Sequence, residues 1–357
     1  MNKLNYKIKQ IPEDFVVTEI PNREFYKGSK QTDNSKYLIY KLNKKNRNTE
    51  DCLQFISKTI KEQRKIIGFA GTKDRNAITE QFISICNIRN IKSRLEKISS
   101  NFEGFTLEFI GYSDKPIFLG DLKENKFDIV IRNLDKKDLK IISPKFIVNY
   151  FDEQRFSKNN KEIGKLIITK KFEKAVKLLQ ESNSINDKTI ELYKEDYIKM
   201  LRHIPKKTLS FFVNSYQSFL FNELCKEIIK ERKYKVIISE YSQGKLFFID
   251  DEPIKTDIQI KLPLIGFGTA DDTKYDELIN KLLEKENITK RDFIIKQIPE
   301  LSSFGVERDF LVIVNNFVAS NIETDELNPD KYKISVSFSL FKGSYATMIL
   351  KKIFSTV

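Results

Sequence analysis

The stretch Gly68-Phe-Ala-Gly-Thr-Lys-Asp-Arg-Asn-Ala-Ile-Thr-Glu-Gln81 decides how the rest of the chain is read. Ile66 to Ala70 has the length and apolar character of a short buried strand, and Ala77 to Cys86 alternates as a second one. Between them a short loop carries Thr72, Lys73, Asp74 and Arg75 at its tip, setting one carboxylate between two cations. Flanking cations keep a carboxylate ionised at neutral pH, the state that a nucleophile or an electrostatic stabiliser needs. Gly, Asp and Asn are also ordinary turn residues, so composition alone favours a solvated turn.

Outward from this loop, strands and helices alternate. Phe15-Val-Val-Thr-Glu19 and Tyr37-Leu-Ile-Tyr-Lys-Leu42 are apolar runs of strand length. A helix opens at Asn48 or Thr49 with Glu50 and Asp51 in its first turn, and Leu53, Ile56 and Ile60 form its apolar stripe. Asn125 to Arg132 reads as a strand with Phe127, Ile129 and Ile131 on one face. Lys158 to Lys207 holds thirteen Lys or Arg against seven Asp or Glu, mostly on helix, with Ala175–Leu179 and Tyr193–Ile198 carrying much of the pattern. Such a run is a solvated face or an RNA-facing surface. A helix follows from about Leu209 to Arg232, with Leu209, Phe212, Val213, Tyr216 and Leu220 at core spacing. Tyr332, Ile334, Val336, Phe338 and Leu340 alternate with polar residues as a half-buried strand. Gly343 then turns the chain and Ser344 is the expected N-cap of a closing helix to Phe354.

The 357 residues suffice for two domains with substantial cores. A net charge of +13 favours a polyanionic partner, although lysine-rich composition has other origins as well. No apolar run reaches the roughly 18 residues of a membrane span, and the N-terminal residues alternate polar and apolar, so a cytoplasmic protein is expected. Cys52, Cys86 and Cys225 lie far apart and His203 is the one histidine, which gives no zinc spacing and no disulfide framework. Gly266-Phe-Gly268 lacks the third glycine of a dinucleotide fingerprint, and no phosphate-binding Walker loop is present. Chemistry without a metal or nucleotide cofactor is expected.

The Gly68–Gln81 block closely resembles the signature of the TruD family of tRNA pseudouridine synthases. Five further blocks resemble that family in the same order: Lys9-Gln-Ile-Pro-Glu-Asp-Phe-Val-Val-Thr-Glu19, Leu119-Gly-Asp-Leu-Lys-Glu-Asn-Lys-Phe127, Asn149-Tyr-Phe-Asp-Glu-Gln-Arg-Phe156, Ser215-Tyr-Gln-Ser-Phe-Leu-Phe-Asn222 and Gly343-Ser-Tyr-Ala-Thr347. The resemblance implies an α+β fold: a pseudouridine-synthase catalytic domain with a mixed, largely antiparallel sheet over 1–156 and 306–357, and a family-specific inserted α/β domain over 157–305. It implies a tRNA substrate, most specifically the D-arm uridine at position 13. A relaxed synthase acting on other structured RNAs and a noncatalytic RNA-binding protein on the same scaffold are the alternatives.

Carried onto this sequence, the resemblance makes Asp74 the catalytic carboxylate, Lys9 its ionic partner and Asn125 the residue that orients it or binds the uracil edge. Phe127 covers the uracil and Phe15 walls the pocket, while Gln154 and Arg155 contact phosphate or sugar. Gly343 and Ser344 open the closing motif that approaches an anion or braces the loop. Residue by residue the plain readings stay open: a strand lysine, a turn asparagine, a core phenylalanine, a structural ion pair at Arg155, a helix cap at Ser344. Glu13 and Asp14 are expected to fix a local turn. The chain departs from the family pattern at Glu124, Asp152 and Ser157, where glycine is usual.

Overall fold

Alternating side chains can bury one face of a strand only if neighbouring strands keep register, and here nine strands do so in a single sheet. The computed structural model describes residues 6–22, 35–88, 90–96, 104–135, 141–250, 255–271 and 274–355. The chain divides into two compact units, one of Met1–Lys145 with Ile313–Ala346, the other of Phe146–Val312 with Thr347–Thr356. The expected domain junctions stood at 156/157 and 305/306. The compact division instead falls at 145/146 and 312/313, outside both expected junctions, and it places most of the closing helix in the second unit.

In chain order the strands are β1 Phe15–Pro21, β2 Tyr37–Lys45, β3 Ile67–Phe69, β4 Ile78–Cys86, β5 Phe105–Ser113, β6 Leu122–Leu134, β7 Phe146–Val148, β8 Val236–Tyr241, β9 Gly244–Ile249, β10 Lys261–Leu264, β11 Val306–Asp309, β12 Leu311–Ile313, β13 Asn315–Ala319, β14 Glu323–Thr324 and β15 Tyr332–Phe341. The helices are α1 Thr49–Thr59, α2 Ile91–Glu96, α3 Asn160–Ile168, α4 Phe172–Glu181, α5 Asp187–Tyr193, α6 Tyr197–His203, α7 Lys206–Glu231, α8 Asp276–Lys285 and α9 Ala346–Phe354.

The first unit is built on the sheet β13-β15-β6-β1-β4-β2-β5, with β14 on β15 and β3 on β4. Only β1 and β4 run parallel among the registered pairs; the rest are antiparallel, which is the mixed, largely antiparallel sheet expected. On one face Leu38, Tyr40 and Leu42 of β2 and Ile83 and Ile85 of β4 meet Cys52, Leu53, Ile56 and Ile60 beneath α1. Asn48 precedes α1 as expected, but its amide bonds Asp51 Oδ2 at 2.9 Å and does not cap the helix backbone.

In the second unit α7 runs 26 residues with Leu209, Phe212, Val213, Tyr216 and Leu220 all buried. Ser215, Gln217, Ser218 and Asn222 are buried as well, so the middle of α7 is covered on most of its circumference and is not merely amphipathic. Gly164 lets α3 approach it closely, because a Cβ there would lie 2.1 Å from the Phe212 carbonyl oxygen. The stretch Tyr193–Ile198 does not continue a helix. α5 ends at Tyr193, Lys194 turns into φ +48°, and α6 starts at Tyr197 under an Asp196 cap.

Candidate active site

Period two places Lys44 of β2, Thr79 and Gln81 of β4, Glu19 of β1 and Asn125 and Phe127 of β6 on one face of the sheet. Lys44 pairs with Thr79, Leu42 with Gln81, Val17 with Phe127 and Glu19 with Asn125. Over this face passes the loop between β3 and β4, and side chains from that face and from α1 hold its backbone at Gly71, Lys73 and Asp74. Gln81 Nε2 donates to the Gly71 carbonyl at 3.0 Å, and Thr49 Oγ1 accepts from the Lys73 N–H at 3.0 Å while donating to Gln81 Oε1 at 3.0 Å. Lys44 Nζ donates to the Asp74 carbonyl at 2.6 Å. A loop held this way is a platform and not a solvated turn.

The two cations flanking Asp74 in sequence do not both serve it. Lys73 turns inward, its side chain 7 % exposed, and its ammonium sits 2.9 Å from Glu19 Oε2, itself 1 % exposed. The same ammonium donates to Asn125 Oδ1 at 2.5 Å. Glu19 Oε1 in turn accepts from the Phe82 N–H at 3.2 Å. With its carbonyl oxygen engaged by Lys73, Asn125 keeps its amide N–H groups as donors without an acceptor among the described residues. Asp74 turns outward, 46 % exposed, and receives its cation from the N-terminal segment: Lys9 Nζ lies 2.5 Å from Asp74 Oδ2.

Lys9 reaches this position from a left-handed backbone, φ +58°, which costs a residue with a Cβ on the order of 1 kcal/mol. A buried clasp fixes that backbone. Asp14 Oδ2 accepts from the N–H groups of Gln10 and Ile11 at 3.0 and 3.1 Å, and Arg132 Nε donates to Asp14 Oδ1 at 2.8 Å. Arg132 also donates to Asp325 Oδ1 at 2.9 Å. Asn328 joins Asp325 to Gln10 Oε1 at 2.8 and 3.0 Å and accepts from Lys7 Nζ at 2.7 Å. Asp14 thus fixes the turn as expected, whereas Glu13 pairs with Lys45.

Phe15 and Phe127 meet edge to face at 6.1 Å, and Lys9 Nζ lies 4.0 Å above the Phe15 ring. Phe127 also packs on Phe338 at 5.6 Å and is buried, so it stands at the rim of an aromatic core cluster. Gly343 takes φ +83°, a conformation suited to glycine, just beyond β15, whose Leu340 and Phe341 pair with Asn125 and Glu124. Ser344 is not the helix cap expected of it: its Oγ is buried without a partner among the described residues.

Gln154 and Arg155 lie in the second unit. Gln154 is exposed. Arg155 is half-buried and makes no ion pair among the described residues; its Nε donates to Ser218 Oγ at 3.2 Å and its guanidinium lies over Phe151 and Phe211 at 5.3 and 5.0 Å. The departures from the family's glycines are absorbed without strain, since none of Glu124, Asp152 and Ser157 needs positive φ. Asp152 gains contacts a glycine lacks, accepting from the Glu153 N–H and from Thr347 Oγ1, both at 2.7 Å.

Sequence reasoning missed Glu19, Lys44, Arg132 and the inward turn of Lys73. Two left a signal: Glu19 follows Phe15 and Val17, and Lys44 follows Leu38, Tyr40 and Leu42, at the same parity on a buried face. Among the described residues no group of three or more His, Cys, Asp or Glu is placed to hold a metal ion, and no helix is long and apolar enough to cross a membrane.

Comparison with known proteins places the chain in a class of RNA enzymes that isomerise uridine to pseudouridine. The family described as tRNA pseudouridine synthase D (TruD) matches residues 1–191 and 187–353. Probable tRNA pseudouridine synthase D 1 of Methanococcus maripaludis is 31% identical over 98% of this chain and 99% of its own. Probable tRNA pseudouridine synthase D 2 of Methanocaldococcus jannaschii is 33% identical over 98% of this chain and 91% of its own. The crystal structure named for the TruD of Methanosarcina mazei superposes with a TM-score of 0.66 at 26% identity, covering 98% of this chain and 94% of that one. The chain belongs to the TruD family of tRNA pseudouridine synthases.

Proposed function

We propose that this enzyme converts the D-arm uridine at position 13 of tRNA to pseudouridine, with Asp74 as the catalytic carboxylate. The observation that carries the reading is the Lys9–Asp74 contact of 2.5 Å on a loop braced at Gly71, Lys73 and Asp74. The reaction breaks the N1–C1′ bond of the nucleotide, turns the uracil and joins its C5 to C1′, after which the C5 proton is lost. All atoms but that exchanged proton stay in the substrate, so a carboxylate suffices without redox chemistry. Asp74 either adds to C1′ or draws a sugar proton to form a glycal, and Lys9 is its ion-pair partner for both routes.

The uridine has to leave its stack to reach a side chain on a protein loop. Asn125, its carbonyl engaged by Lys73, offers amide N–H groups suited to a uracil carbonyl. Phe15 and the rim of Phe127 supply an apolar wall beside it. We assign the sheet unit as the catalytic domain and the helical unit as the family-specific insertion. The test is turnover of an unmodified tRNA transcript with pseudouridine mapped by carbodiimide-blocked primer extension, wild type beside Asp74→Asn. Product at position 13 in wild type alone is expected; product elsewhere, or equal product from the variant, sinks the assignment.

A further inference from the structure

Lys44 is 2 % exposed, and among the described residues no carboxylate lies within 4 Å of its ammonium. Its one hydrogen bond goes to the backbone carbonyl of Asp74, at 2.6 Å. A buried ammonium without a counter-ion is a cost that folding alone does not recover, and such groups concentrate at functional sites. The groups around it explain why no partner neutralises it. The Cys52 thiol faces it from α1, Asp74 and Lys73 from the loop, and Thr79 and Phe105 stand directly across on β4 and β5. Thr79 Oγ1 is itself buried without a partner among the described residues.

We propose that Lys44 is a positioning residue of the isomerase site: it grips the Asp74 backbone from the sheet and sets a buried positive charge behind the carboxylate. The proposal rests on the reading of Asp74 as the catalytic group. Lys9 neutralises the carboxylate from solvent and must yield room to the substrate, whereas Lys44 acts through the main chain and stays in place when the nucleotide enters. Burial lowers the Lys44 pKa to about 8, with Asp74 and Cys52 opposing the shift and Lys73 adding to it. Its charge is therefore present at neutral pH and lost in mild alkali.

Two variants test this. Lys44→Met removes donor and charge at similar length, and Lys44→Gln keeps a donor without charge. Single-turnover rate at saturating tRNA, tRNA affinity, urea unfolding and amide exchange across residues 71–77 are compared with wild type. Lys44→Met is expected to lose at least a hundredfold in rate with affinity within twofold, to exchange faster at 71–77, and to unfold no more easily than wild type. Lys44→Gln falls between. The wild-type rate declines as pH rises through about 8, and this limb is missing in both variants.

The stability difference has its own sign. Lysine in the unfolded chain titrates near ~10.4. The cost of burying the charge is thus full below pH 8 and fades towards 10.4, because the unfolded chain then binds more protons than the folded one. Any advantage of Lys44→Met in urea shrinks over that window. Wild-type rate and exchange in Lys44→Met overturn the proposal, as does a destabilised variant whose rate per folded molecule is unchanged. If wild type itself makes no pseudouridine, the reading of Asp74 fails, and the exchange contrast alone decides whether Lys44 holds the loop.

Discussion

The sheet unit buries a set of charged side chains that, Lys44 apart, are paired with opposite charges, whereas in α3 to α6 of the other unit the charged side chains stand mainly in water. Lys73 and Glu19 exclude solvent almost completely, as do Arg132, Asp14 and Asp325. Along the basic stretch, the pairs Lys177–Glu173 and Lys199–Asp196 are exposed helix-surface contacts. The difference teaches what each set does. Buried charges cost desolvation and are sensitive to loss of a partner, so they fix geometry. Exposed charges contribute little to folding and remain available to a long-range field.

The strongest way to break this contrast is at the carboxylate itself. Asp74→Asn should lower turnover by a factor on the order of a thousand or more, while tRNA affinity stays within about tenfold, or ~1.4 kcal/mol. Comparable loss of both, in single-turnover and filter-binding assays, would place Asp74 in binding and not in chemistry. Next in size is Glu19→Gln, which strands the Lys73 ammonium and should cost about 3 kcal/mol or more in urea unfolding. An unchanged midpoint would show that water or Asn125 compensates the charge.

A smaller effect is expected in the basic stretch. Lys170 donates to the Asp292 carbonyl at 2.8 Å and to its carboxylate at 3.2 Å, so it holds structure and makes a poor probe of RNA contact. Lys171→Glu with Lys174→Glu should flatten the slope of log affinity against log salt by about 1 to 2 units, with rate at saturating tRNA retained. A parallel salt plot would remove this stretch from the RNA footprint. Smallest is Lys177→Ala, which breaks a fully exposed i,i+4 pair. No measurable shift in melting temperature is expected, and a clear drop would mean that the surface pairs of this unit are structural after all.

Most of the sheet was legible because its strands alternate and its turns use glycine or asparagine, and α1 and α7 were legible from apolar spacing, α1 from its first-turn acids as well. Asp74, Lys9, Asn125 and Phe127 were reached through motif resemblance, and the fold brings all four to one face. Less visible were features that depend on register. Whether Lys73 serves Asp74 or Glu19 depends on where β1 lies against β4, a long-range pairing that no local window contains. The cap expected at Ser344 failed for a related reason: its hydroxyl is buried at a strand end where tertiary packing overrides local preference. The break between α5 and α6 was missed because a lysine, not a glycine, takes the left-handed turn.

The clasp around Lys9 sets an order of events for the ribosome. Gln10 and Asn328 are bonded across 318 positions, Arg132 and Asp325 across 193, and β6 finds its partner β15 only near the end of the chain. At roughly 5–20 residues per second, synthesis separates Gln10 from Asn328 by about 15 to 60 seconds. The Asp74 loop can settle on β1, β2 and β4 early in that interval, but the left-handed turn that presents Lys9 is held by Asp14 and Arg132 alone until residues 325–328 emerge. A chain that stops short of residue 325 therefore carries the carboxylate with its cation only partly clasped, and the clasp closes only once Asp325 and Asn328 have been made.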